Sequence, residues 1–178
     1  PHIEHMNEVY GLLQKEFAGS RLCANRANLT DAYIEFEYID GDTLETVLDA
    51  CLANDDKDGF AELVKQYASE IRQVYLSEQS VCGERSQDEI EQYQKAFGEI
   101  TLPVSVPFSK GVDIDLIFSN IMVQGNTWIV IDYEWTFDFP VPVDFLLWRA
   151  GKVYLENYAN RASIDETEMN RMLGVTPE

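Results

Sequence analysis

The sequence predicts an α+β fold, mainly helical, in which a short β-hairpin carries the polar groups of a site. Three observations predict it. Apolar residues recur at gaps of three and four in several stretches, the period of a helix with one buried face. Two other stretches, around 33–39 and 120–132, gather β-branched and aromatic residues beside Gly, Asn and Asp, as strands ending in turns do. Finally, "DIDLIFSNIMV" at 113–123 sets Asp113, Asp115 and Asn120 against Ile, Leu, Phe, Met and Val. Burying carboxylates is costly unless they are paired or bound to a cation.

Taken in order, residues 3–17 place Ile3, Met6, Val9, Tyr10, Leu13 and Phe17 on one helical face. His2 and His5 at its start read as ordinary surface residues. Tyr33, Ile34, Phe36, Tyr38 and Ile39 have strand character, broken by Asp40-Gly41. Asp42 or Thr43 can then cap a helix starting at about Leu44. Residues 58–76 form the clearest helix, with Phe60, Leu63, Val64, Tyr67, Ala68, Ile71, Val74 and Tyr75 on one stripe. From Ser77 to about Glu99 the composition turns polar, which predicts an irregular segment with an exposed helix around 88–97. Residues 120–132 are a hairpin around Gln124-Gly125-Asn126. Residues 143–158 are too apolar for a surface helix, so a buried one is expected, with a weaker helix over 165–173.

The 178 residues, 46% of them apolar, suffice for one domain with a real core. No run approaches the about 18 to 20 apolar residues of a membrane span, and no signal peptide leads the chain. Pro1 in place of an initiator Met predicts a fragment of a longer polypeptide. A net charge of −19, from 32 acidic and 13 basic residues, repels nucleic acid backbones and anionic membranes. It repels nucleotides too, unless divalent cations bridge the gap. Cys23, Cys51 and Cys82 are widely spaced, with no CxxC pair, and read as reduced thiols of a cytoplasmic protein.

The hairpin brings Asn120 at its entry and Asp132 at its exit to one end, and Asp115 lies five residues before Asn120. Two carboxylates and an amide oxygen converging there suit a hard cation such as Mg²⁺. The acidic chain thus recruits metal, and metal recruits phosphate.

With these residues named, a resemblance follows. "D-x-x-x-x-N-I-M-V" and then "I-V-I-D-Y-E-W" resemble the catalytic loop and metal-binding segment of the protein-kinase-like fold, in its aminoglycoside phosphotransferase and choline kinase branch. The resemblance spans about 32–150. It implies that Asp115 is the base accepting the proton of the substrate hydroxyl, while Asn120 and Asp132 hold Mg²⁺ on ATP. It further implies that the backbone of Glu37, Tyr38 and Ile39 faces the adenine. Asp144 would accept backbone N–H groups of the catalytic loop in a supporting role, while Asp113 is expected either to support that loop too or to join the metal site. The organisation implied is a truncated N-lobe over 1–40, a helix plus strands, followed by a mainly helical C-lobe over 41–178. The activity implied is ATP- and Mg²⁺-dependent phosphoryl transfer to a hydroxyl of a small molecule, of sugar, aminoglycoside or choline type. The parent chain would be fused to other catalytic domains of bacterial polysaccharide synthesis.

The chain departs from this pattern in two respects. Asp113 stands where the family has His, and the glycine-rich loop and strand Lys do not occur within these residues and would lie upstream of Pro1, with Glu4 or Glu8 of the first helix as partner of that Lys. Both departures also suit a kinase-like module that binds nucleotide or a partner chain without turnover. A weaker third reading takes Asp113-x-Asp115 as the metal motif of a nucleotide-sugar glycosyltransferase. Read without any site, Asp115 is a turn residue, Glu134 a surface residue, and Tyr133, Trp135 and Trp148 core. Arg149, on an apolar helix, is expected to pair with a carboxylate rather than grip phosphate.

Overall fold

In the computed structural model, which describes residues 2–30, 33–76, 85–99, 106–157 and 161–175, the apolar stripes become helices and the fold is α+β. Helix α1 (His2–Glu16) buries Met6, Val9 and Leu13, with Phe17 just beyond its end. Helix α2 (Leu44–Ala53) starts where the Thr43 hydroxyl accepts the Thr46 N–H at 3.1 Å. Helix α3 (Lys57–Tyr75), capped by Asp56, buries the stripe from Phe60 to Tyr75. Helix α4 (Gln87–Phe97) opens with a reciprocal cap between Ser86 and Glu89. Helix α5 (Val143–Asn157) buries Leu146, Leu147, Ala150 and Tyr154. Helix α6 (Glu166–Leu173) stops at Gly174, whose φ of 66° ends it in the left-handed region.

One expectation needs correction here. Helix α4 is not simply exposed: Tyr93 is buried, and Phe97 packs on Phe137, Phe139 and Phe145 with ring centroids 5.5, 6.2 and 6.0 Å away. Positions 93 and 97 are one turn apart, so two aromatics in an otherwise polar helix suffice to dock it. The neighbouring residues 77–84 lie outside those described.

The strands are short. They are β1 (Leu22–Ala24), β2 (Ala27–Leu29), β3 (Ile34–Phe36), β4 (Asp42–Thr43), β5 (Phe108–Ser109), β6 (Val112–Asp113), β7 (Ile121–Gln124), β8 (Thr127–Val130), β9 (Thr136–Phe137) and β10 (Val141–Pro142). One sheet has the order β1-β8-β7-β4, with β1 parallel to β8 and the other neighbours antiparallel. The pairs β2-β3, β5-β10 and β6-β9 are antiparallel ribbons. The β7-β8 hairpin turns tighter than expected. Gln124 pairs with Thr127, so Gly125-Asn126 alone form the turn, and Gly125 adopts the positive φ of 59° that such a turn requires.

A single apolar core runs from Leu13 on α1 through Leu44 and Leu48, Val64 and Ile71, to Leu147 and Leu173. It is continuous across residues 40 and 41. Behind it, buried Arg161 ties α2 to the segment before α6. Its Nη2 donates to Glu45 Oε1 at 2.6 Å and Asp49 Oδ2 at 2.7 Å, its Nε to Asp49 Oδ1 at 2.8 Å, and its Nη1 to the Tyr154 carbonyl at 2.6 Å. Cys23 and Cys51 are free thiols. No helix among the described residues is long and apolar enough to cross a membrane.

Candidate functional site

Between β6 and β7 the chain turns at Ile114-Asp115, passes a single 3₁₀ turn at Phe118–Asn120 and enters the hairpin. Such a loop buries backbone groups that need partners, and these come from three directions. Asp113, fully buried, accepts the Asp115 N–H on Oδ1 at 3.0 Å. From α3, the Tyr67 hydroxyl donates to the Leu116 carbonyl at 2.5 Å, and the Tyr75 oxygen lies 3.5 Å from the Asp113 N–H. From α5, Arg149 Nε donates to the Ile114 carbonyl at 3.0 Å and Nη2 to Asp115 Oδ1 at 2.5 Å. The loop also holds itself, since Asn120 Nδ2 donates to the Asp115 carbonyl at 3.0 Å.

The hairpin registers Ile121 opposite Val130, and the Ile131 N–H reaches the Asn120 carbonyl at 3.0 Å. Asn120 and Asp132 therefore sit together at its open end. Both line a cleft of about 420 Å³, walled by Ile34, Phe36, Tyr133 and Glu134. Because Nδ2 of Asn120 is engaged with the loop, Oδ1 is the atom it has to offer a ligand. Tyr133 is fixed from behind: its hydroxyl donates to the Asn25 carbonyl at 3.1 Å, and its ring meets Tyr10 and Phe36 at 6.4 and 6.0 Å.

The electrostatics favour a cation. Burial raises the Asp132 carboxyl above its ordinary range, and the Glu134 and Asp115 charges raise it further. Asp113 is pushed up to about 8, chiefly by burial, with Asp115 and Asp132 adding to it while the Asp115 N–H and Arg149 oppose. Its Oδ2 is buried without a hydrogen-bond partner among the described residues. A positive charge in the cleft would relieve all of these repulsions.

The sequence-predicted residues divide accordingly. Asn120 and Asp132 are brought to one cleft, and Asp115 joins them through Asn120 without lining it. Asp113 supports the loop backbone. Asp144, expected to do so as well, instead faces Arg72 at 3.7 Å, because α5 begins at Val143 and turns this carboxylate towards α3. Glu37, Tyr38 and Ile39 do not line the cleft either. The Glu37 N–H is engaged by the Arg26 carbonyl and its own carbonyl by Asn25 Nδ2, both at 3.0 Å, and the Tyr38 side chain is 87% exposed. The strand before them, through Ile34 and Phe36, makes that wall instead. Arg149 does pair with a carboxylate, that of Asp115.

Sequence reasoning missed Tyr67 and Tyr75 as supports of the loop. A signal was present: they stand eight residues apart on one helical stripe, and a tyrosine in a core stripe brings a hydroxyl that must find a partner.

Among the described residues, no group of three or more His, Cys, Asp or Glu side chains could hold a metal ion. The Asn120 amide oxygen and the Asp132 carboxylate remain as two hard oxygen donors. Such a pair fits Mg²⁺, which keeps several waters and takes further oxygens from a phosphate. No protein-family model matches the chain, and no curated protein does.

Proposed function

We propose that this chain is an ATP- and Mg²⁺-dependent phosphotransferase acting on a hydroxyl of a small molecule, with a protein-kinase-like fold. The observation that carries the reading is the single cleft shared by Asn120 and Asp132, with the carbonyl of Asp115 tied to the Asn120 amide. A helix, a hinge-like extended segment, a long core helix, the loop, the hairpin and a buried helix follow one another in the order that this reading requires.

In the mechanism, Asp115 Oδ2 takes the proton of the acceptor hydroxyl as its oxygen bonds to the γ-phosphorus. The bond from phosphorus to the bridging oxygen breaks, and ADP leaves with that electron pair. Asn120 Oδ1 and the Asp132 carboxylate would hold Mg²⁺, and the ion would supply neutralisation of phosphate charge that a chain of net charge −19 would otherwise repel. Asn120 also fixes the loop, so one side chain couples the position of the base to that of the cleft.

A second reading, a module that binds nucleotide without turnover, is favoured by the carboxylate of Asp113 at the position where a histidine is usual. One experiment separates the two. Thermal unfolding is measured with and without Mg-ATP, beside Asp132→Asn, and ADP formation is followed with choline, glucose and glycerol as acceptors. Nucleotide at about 100 times its dissociation constant adds roughly 2.7 kcal/mol. The phosphotransferase reading expects a magnesium-dependent stabilisation that Asp132→Asn loses, together with ADP formation. Stabilisation without turnover supports the binding module. No stabilisation by Mg-ATP at all overturns both.

A further inference from the structure

Asp115 has like charges for neighbours. It contributes to raising the carboxyls of both Asp113 and Asp132. Repulsion from these two neighbours pushes the Asp115 carboxylate away from both. Its terminal torsion is broad and roughly two-fold, so the backbone alone does not decide which oxygen faces an incoming group.

Arg149 decides it. The guanidinium is planar, and two of its donors are spoken for: Nε by the Ile114 carbonyl at 3.0 Å and Nη2 by Asp115 Oδ1 at 2.5 Å. Two bonds from one rigid plane to consecutive residues fix both the turn and the carboxylate upon it. The grip is on one oxygen only. A two-oxygen fork would turn both oxygens towards the guanidinium, whereas here Oδ2 carries no bond from Arg149. The pair is also partly accessible, with side chains 33% and 16% exposed for Arg149 and Asp115. It therefore lies within reach of a ligand, unlike a pair sealed in the core.

We infer that Arg149 is the positioning residue for Asp115, holding Oδ1 so that Oδ2 faces the acceptor hydroxyl. This inference rests on the phosphotransferase reading. It assigns to α5 a task done by geometry as well as by charge, and so distinguishes Arg from Lys. A lysine ammonium is a single point on a flexible stem, able to restore the charge but not to grip the carbonyl and the carboxylate together.

The test is ADP formation at saturating Mg-ATP, with water, choline, glucose and glycerol as acceptors, in the wild type, Arg149→Met, Arg149→Lys and Arg149→Ala. A misplaced reacting group costs on the order of 100-fold, so kcat should fall by about that factor in Arg149→Met while KM for Mg-ATP holds. Arg149→Lys should recover only part of the loss, remaining about tenfold below wild type. Guanidinium at millimolar concentration, far below denaturing levels, should restore kcat saturably in Arg149→Ala and leave the wild type unchanged. Unchanged kcat in Arg149→Met would overturn the positioning role and leave the phosphotransferase reading standing. So would full activity in Arg149→Lys, absence of guanidinium rescue, or a parallel loss of kcat, nucleotide binding and melting temperature. A wild type that forms no ADP under these conditions sinks the reading and the positioning role with it.

Discussion

Two arginines from the C-terminal part of the chain reach back to carboxylates, and they do so differently. Arg161 is fully buried, engages Glu45 and both oxygens of Asp49, and lies over the Tyr154 ring 3.8 Å from its centroid. Arg149 is one-third exposed and takes a single oxygen of Asp115 together with one backbone carbonyl. The first leaves no oxygen of Asp49 unused. The second leaves one free, next to a cleft. Saturation suits an ion pair that holds the fold together, and the free oxygen is what the positioning role proposed for Arg149 requires.

That contrast can be broken most severely at Arg161. Arg161→Met leaves Glu45 and Asp49 facing each other uncompensated, and removing one partner of a buried pair costs about 3–5 kcal/mol. Urea denaturation should show a loss of that order without any direct change at the cleft. A loss under about 1 kcal/mol would make Arg161 no more structural than a surface pair.

The next effect appears in the pH profile. Asp113 binds its proton up to about 8 in the folded chain, against about 3.9 for a free carboxyl. The folded state therefore holds more protons than the unfolded one across that window, and stability falls as pH rises through it. Asp113→Asn keeps an oxygen for the Asp115 N–H and removes the titration. Its melting temperature in metal-free buffer should decline less between pH 5 and 8 than that of the wild type, by several degrees. Parallel curves for the two proteins would show that this carboxyl stays ionised.

Smaller again is Tyr67→Phe, which strips the buried Leu116 carbonyl of its donor and should cost about 1–2 kcal/mol, read by the same denaturation. No change would mean that water replaces the hydroxyl. The smallest effect belongs to Tyr38→Ser. It should alter stability by less than about 0.5 kcal/mol and leave Mg-ATP binding untouched. A fall in binding would return the segment 37–39 to the wall of the cleft.

How much of this could be read in the sequence follows from range. The stripe on α3, the cap before α2 and the hairpin were legible because each is written within about twenty consecutive residues. Asn120 and Asp132 were legible for the same reason: a hairpin turns sequence spacing into spatial proximity. The pairings β5-β10 and β6-β9 were not, since strands of two residues carry no period. Nor was the fate of Glu37, whose carbonyl is taken by an asparagine twelve residues earlier. For Arg149 the kind of partner was readable, from the cost of a charge on an apolar helix, but its identity was not.

The parallel pairing of β1 with β8 carries a consequence for the order of folding. Leu22 is registered opposite Trp128, and the Tyr133 hydroxyl bonds the Asn25 carbonyl across 108 residues of sequence. Closing so long a loop is slow, while the β7-β8 hairpin closes over two residues. The hairpin and its neighbours should therefore gain amide protection first in pulsed hydrogen exchange, with residues 22–24 following once β8 exists to receive them. Simultaneous protection would point to one concerted step. In the sequential case the cleft is finished last, because the Tyr133 hydroxyl, which fixes one wall, has no acceptor until the segment after β1 arrives.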